Sequence, residues 1–191
     1  DGTLRMILSR PISRVRLLFV KWVAGVIFAA VLVTVLGITA LGLARLFFPW
    51  QGLFVFVPGQ AFSLLSAQEG FIRYLIAHVF LIINASTVLS IAFMFSCFNM
   101  KPAAATILAL SYLFVNLVME GIPFFDRYEN WFITHHFRCW LMVFSDPVPV
   151  WQIAQSEFLL FAASATVFVV GSTAFHVRDI FAVGSDTAEE A

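Results

Sequence analysis

Four long stretches without a charged side chain limit what this chain can fold into more than any other feature. No Asp, Glu, Lys or Arg lies between Lys21 and Arg45, Arg73 and Lys101, Lys101 and Glu120, or Glu157 and Arg178. A helix needs roughly 20 residues to cross about 30 Å of hydrocarbon, so each stretch is long enough, or nearly so, to span a bilayer. The stretch from Trp22 to Ala44 has no polar face at helical spacing, its only polar side chains being Trp22, Thr34 and Thr39, and so suits lipid on all sides. Composition agrees: 61% of residues are hydrophobic and 12% charged, with a mean hydropathy of +0.95, which excludes an ordinary soluble domain. Of the 7 prolines, 6 fall outside the stretches and Pro102 stands at the first residue of the third, places where a missing backbone donor costs least. Trp22, Trp50, Trp131, Trp140 and Trp151 fall at stretch ends or in connections, as residues of the membrane interface do. The expected fold is an all-α polytopic bundle of four spans, at about 22–46, 74–98, 102–120 and 156–177, in one domain covering 1–191.

Charge placement orients the bundle. Arg5, Arg10, Arg14, Arg16 and Lys21 precede the first span, Lys101 sits in the short turn between the second and third, and Arg178 closes the fourth. The opposite side carries Arg45, Arg73, Arg127 and Arg138 over longer loops, so the positive-inside rule places both termini in the cytoplasm. Cys97 and Cys139 then face opposite sides and are not expected to pair. A net formal charge of zero and the absence of a recognition motif argue against nucleic acid. The outer loops, 47–72 and 121–155, are strongly aromatic and are expected to lie in the interface or dip back as short helices. Residues 181–191 are expected to form a frayed cytoplasmic tail. The first residue is Asp1 rather than Met, and no cleavable signal precedes the first span.

Within Asp1 to Lys21, the spacing of Leu4, Ile7 and Leu8 predicts a short amphipathic helix over Thr3–Ser9, interrupted by Pro11, with Ser13 able to cap the helix that enters the membrane. The string Asp1-Gly2-Thr3-Leu4, then Ser9-Arg10-Pro11-Ile12-Ser13-Arg14, then Lys21 at the membrane, resembles the cytoplasmic loop of ABC type-2 transporter permeases. Phe175, Arg178, Asp179 and Ile180 are similar to that family's closing Phe-x-x-Arg-Asp-Ile, and the short inner turn and long outer segment match its layout.

The resemblance implies six spans, of which these would be the third to sixth, with the first two preceding Asp1. It implies that residues 1–20 hold a coupling helix. Gly2, Thr3, Leu4, Leu8, Ser9, Arg10, Pro11, Ser13 and Arg14 would form or support the surface that docks on an ATP-hydrolysing subunit. It also implies the partners: two copies of an ABC ATPase and a second permease copy, identical or not, around an export path. No phosphate-cradling Gly-rich loop ending in Gly-Lys-Ser or Gly-Lys-Thr occurs in this chain, so no cofactor is expected on it, and ATP and Mg would bind the partner subunit.

The remaining candidates are polar residues inside the spans. Asn84, Ser86, Thr87, Ser90 and Asn116 are expected to face other helices, because a lipid-facing amide or hydroxyl is costly, and they either line a path or hold helices together. Small residues four apart, at Gly25 and Ala29, Ser86 and Ser90, Ala92 and Ser96, and Ala105 and Ala109, suit close helix approach. His135 and His136, with His78 on the same outer side, are the only candidates for a metal or haem, but adjacent histidines point apart and a metal needs three or four converging ligands. Glu120 and Glu157, at span ends, are expected to be solvated. No nucleophile and base, and no spaced carboxylate pair, suggests an enzyme. Two rival functions stand beside transport: a membrane scaffold or assembly factor holding a partner through its aromatic loops, and a metal or haem protein built on the histidines.

Overall fold

A computed structural model describes the backbone of residues 14–58, 61–98 and 100–189 and the side chains of 15–58, 62–98 and 100–176. The docking residues Gly2, Thr3, Leu4, Leu8, Ser9, Arg10, Pro11 and Ser13 lie outside the described residues, and Arg14 is described in backbone only.

Helix α1 (Arg14–Phe47) rises from the N-terminal end of the bundle to the end that carries the long loops. A hairpin follows, β1 (Leu53–Val57) and β2 (Ala61–Leu65), and then α2 (Ala67–Cys97) returns. After a short turn α3 (Pro102–Glu120) rises again. A 3-10 helix (Pro123–Trp131) and two short helices, α4 (Ile133–His136) and α5 (Cys139–Met142), form the second loop before α6 (Val150–Glu189) descends. Among the described residues four helices are long and apolar enough to cross a membrane: Val15–Phe47, Ala67–Cys97, Pro102–Glu120 and Val150–His176. The all-α polytopic bundle is therefore what this sequence forms, with one small hairpin added.

Helix α2 is the hub, packed against α1, α3 and α6. Its contacts with α1 pair Trp22 with Ser90, Gly25 with Leu89 and Val33 with His78, an antiparallel register. Those with α6 pair Thr87 with Ser164, Phe93 with Phe168 and Met94 with Gly171, a parallel one. Ala105 and Ala109 of α3 are buried at 2% and 1% exposure, so one of the small-residue pairs sits where two backbones close up, whereas Ser96 is exposed. Elsewhere the spans present apolar side chains outward: Phe28, Ile38, Phe114 and Phe158 are each more than half exposed, the surface that lipid or another membrane chain covers.

Several boundaries differ from the sequence-based ones. Helix α2 begins at Ala67, not 74, because Ser66 caps it: the Ser66 hydroxyl accepts from the Glu69 backbone amide at 3.2 Å, one half of a capping box. The first outer loop is not a dipping helix. Leu53–Val57 is rich in β-branched and aromatic residues and is followed in sequence by Pro58-Gly59-Gln60, and it pairs antiparallel with Ala61–Leu65, with Phe54 opposite Leu64 and Phe56 opposite Phe62. The hairpin has two faces: Ser63 and Leu65 are buried, while Phe54, Phe56, Phe62 and Leu64 are exposed. Helix α6 starts at Val150 rather than 156 and runs to Glu189, through the segment expected to fray, since Ile180, Phe181, Ala182 and Val183 prolong the apolar run past Arg178. Trp22 is not at a helix end. It lies inside α1, against Phe19 and Phe168, with its indole nitrogen donating to Ser90 Oγ at 2.9 Å.

Candidate functional site

The second loop forms short helices, as its aromatic content suggested, and the reason is a difference in length. Helix α2 has 31 residues and α3 only 19, so the bundle would be unfilled above the end of α3. The residues that follow α3 occupy that space. Phe137 offers its carbonyl to Asn84 Nδ2 at 2.9 Å, and farther along the loop Val143 and Ser145 offer theirs to Arg73 Nη1 at 3.1 and 2.8 Å. Arg73 and Asn84 are separated by about 16 Å of helix, so the segment 137–145 rises that distance along the side of α2 toward its loop end. Arg73 is held in turn by Glu69, at 2.6 Å. The hairpin is tied to the same segment through the Ser63 hydroxyl, which donates to the Phe144 carbonyl, and through the buried cluster of Leu65, Ala77 and Phe144.

Where the second loop meets α3 and α6, it brings several ionisable groups together. Arg138 Nη2 lies 3.3 Å from Glu120 Oε1, and His135 Nδ1 lies 3.6 Å from the same oxygen and 4.0 Å from Glu129 Oε2. The Glu120 side chain is only 5% exposed, and Glu157 is partly buried with its Oε1 accepting from the Cys139 thiol at 3.0 Å. Both carboxylates were expected to be solvated. Instead the second loop covers them, setting Arg138 and His135 beside one and a thiol beside the other. Burial first, and then the neighbouring Glu157 carboxylate, pushes the Cys139 thiol above the ordinary range, so it stays protonated at neutral pH.

His136 is buried with both ring nitrogens engaged, Nδ1 at 3.1 Å from Ser156 Oγ and Nε2 at 3.1 Å from the Asn130 carbonyl. The rings of His135 and His136 stand at 88°. His78 does not join them: its Nε2 is 3.0 Å from the Val33 carbonyl, against α1. Among the described residues no three His, Cys, Asp or Glu side chains converge as a metal would require.

The polar residues singled out within the spans all lie near or below this segment. Thr87 and Ser90 are buried at 1% and 0% exposure, and Asn84 and Asn116 at 8% and 9%. Thr87 Oγ accepts from Ser164 Oγ at 3.1 Å, Ser90 accepts from Trp22, and Ser86 and Asn116 bond to carbonyls one turn back in their own helices. Asn84, Thr87 and Ser90 thus join α2 to the second loop, α6 and α1, whereas Ser86 and Asn116 bond within their own helices. Sequence reasoning missed Arg73, Ser63 and Cys139 as organisers of this region. The one local signal was Glu69 four residues before Arg73, a helical ion-pair spacing.

Residues 1–129 match the family described as ABC-2 family transporter protein. The chain belongs to the ABC-2 transporter family. No curated protein and no solved structure matches it. This ABC-2 chain is accordingly a multi-pass membrane permease subunit of an ABC transporter, and its four spanning helices carry that role. The matched region takes in the leading segment, α1, the hairpin, α2, α3 and most of the 3-10 helix, while α4, α5 and α6 of the permease follow it.

Proposed function

We propose that this permease is the membrane half of an ATP-driven exporter, driven by a separate ATPase that binds ATP and Mg. The observation that carries this is the family match, which includes the leading segment 1–20. Two permeases and two ATPases would make the working unit, in a plasma membrane with both termini on the cytoplasmic side. The docking surface would be Gly2, Thr3, Leu4, Leu8, Ser9, Arg10, Pro11, Ser13 and Arg14.

Two features support coupling through α1. It is one unbroken helix of 34 residues, about 51 Å long, so displacement of its N-terminal foot moves its far end as well. It is also the least enclosed of the spanning helices within a single chain, which leaves surface for a second permease. Its contact with α2 would transmit the motion to the polar layer at Asn84, Thr87 and Ser90.

The test is the double substitution Leu4→Asp and Leu8→Asp in the transporter complex. Loss of ATPase co-purification or of coupled hydrolysis, with membrane insertion intact, is the expected result. Unchanged docking in that variant would remove the leading segment from the coupling surface.

A further inference from the structure

At the loop end of α1 stands a cation with no counter-charge among the described residues. Arg45 lies in the last turn of α1 with its guanidinium carbon 5.3 Å from the centroid of the Trp50 ring. No described carboxylate forms an ion pair with it. Beside it, between α1, the approach to the hairpin and the start of α2, lies a cavity of about 570 Å³, a size typical of small-molecule sites. A second cavity of about 440 Å³ shares Leu41, Arg45, Trp50 and Phe71 with the first and reaches Ile38 and Gly42. The shared walls join the two into one groove. Ile38 is two helical turns below Arg45, so the groove runs about 10 Å along α1 from the interfacial tryptophan toward the hydrocarbon.

The chemistry of the walls is uneven in a useful way. The lower part is aliphatic and aromatic, and Ile38 is 66% exposed, so the groove opens sideways on the outside of the chain. The mouth holds the one cation, steadied over an aromatic face and able to offer two parallel N–H donors to a phosphate. A soluble anion would gain the guanidinium but nothing from the apolar length below it. A zwitterionic lipid would bring its own cation beside Arg45. Gly42 keeps the lower part open: a Cβ built there meets nothing within 4 Å.

We propose that this groove holds one anionic phospholipid, its phosphate on Arg45 and an acyl chain along Leu41, Gly42 and Ile38. This goes beyond the transport function and does not depend on it.

The experiment is native mass spectrometry of the purified full chain titrated with dioleoylphosphatidylglycerol, with dioleoylphosphatidylcholine and inorganic phosphate as comparisons. One phosphatidylglycerol should bind in preference to phosphatidylcholine and survive excess phosphate. Arg45→Gln should weaken binding about tenfold or more, the loss expected when a charged hydrogen-bond donor is removed. Gly42→Phe should exclude the lipid at unchanged melting temperature, because it fills the groove without meeting protein. Wild-type affinity in both variants would overturn the proposal. So would equal binding of phosphatidylcholine, which means the headgroup charge is not read, or full displacement by phosphate, which means a free-anion site. If Arg45→Gln does not fold, Gly42→Phe together with the phosphatidylcholine comparison on the wild-type chain decides the proposal.

Discussion

Gly37 of α1 and His78 of α2 approach so closely that no side chain fits between them: a Cβ at position 37 would lie 1.9 Å from His78 Cε1. The contact is fixed at both ends. His78 Nε2 is 3.0 Å from the Val33 carbonyl, and the Tyr74 hydroxyl donates to the Gly37 carbonyl at 2.9 Å. Two ring residues one turn apart on α2 thus hold the backbone of α1, which in lipid replaces the hydrophobic drive that would join these helices in water.

Gly37→Ala should therefore force the helices apart and destabilise the protein by about 1–3 kcal/mol, the usual cost of overpacking a close contact. Thermal unfolding in detergent measures this. His78→Ala in the same chain should recover part of the loss by making room, a coupling that a double-mutant cycle resolves. Additive effects of the two changes would show that the ring and the glycine do not meet.

Glu120 and Arg138 should respond unequally to substitution. Arg138→Gln leaves a buried carboxylate with only His135 beside it, whereas Glu120→Gln removes the buried charge and leaves Arg138, whose side chain is 49% exposed, to be solvated. The arginine variant should be the less stable by about 1–3 kcal/mol, and the double variant should lie closer to Glu120→Gln. Equal melting temperatures for the two single variants would mean that the pair is solvated after all.

Cys139 should be chemically quiet. Its thiol is buried against Glu157 and pushed upward from the ordinary range, so at pH 8 it carries less thiolate than a free cysteine and is shielded from reagents. Peptide mapping after N-ethylmaleimide treatment should find Cys139 unmodified in the folded protein and modified after unfolding. Rapid labelling of the folded protein would show that the second loop does not stay closed over it.

How much was legible in the sequence differs by element. The third span agrees at both ends, because Pro102 can only open a helix and Gly121 follows Glu120 where the apolar run stops. The start of α2 was legible in Ser66 and Glu69 but lay hidden inside an aromatic loop. The hairpin was legible in principle too, since Phe54, Val55, Phe56 and Val57 are followed by Pro58-Gly59, but aromatic density at a membrane surface also fits an interfacial helix. The carboxylates were misjudged because Glu120 and Glu157 sit at span ends, and a span end is solvated only if nothing folds over it.

By itself the sequence determined the solvent, the number of spans and the family. Those depend on the length of apolar runs and on short motifs, and each is a local property of the chain. Only the tertiary structure decided that the second loop packs along α2, that Asn84 and Arg73 hold it there, and that Glu120 meets Arg138 while Cys139 meets Glu157. The physical reason is the mismatch between a helix of 31 residues and a neighbour of 19. The space above the shorter helix must be filled, and the polar backbone that fills it must find partners that lipid cannot supply.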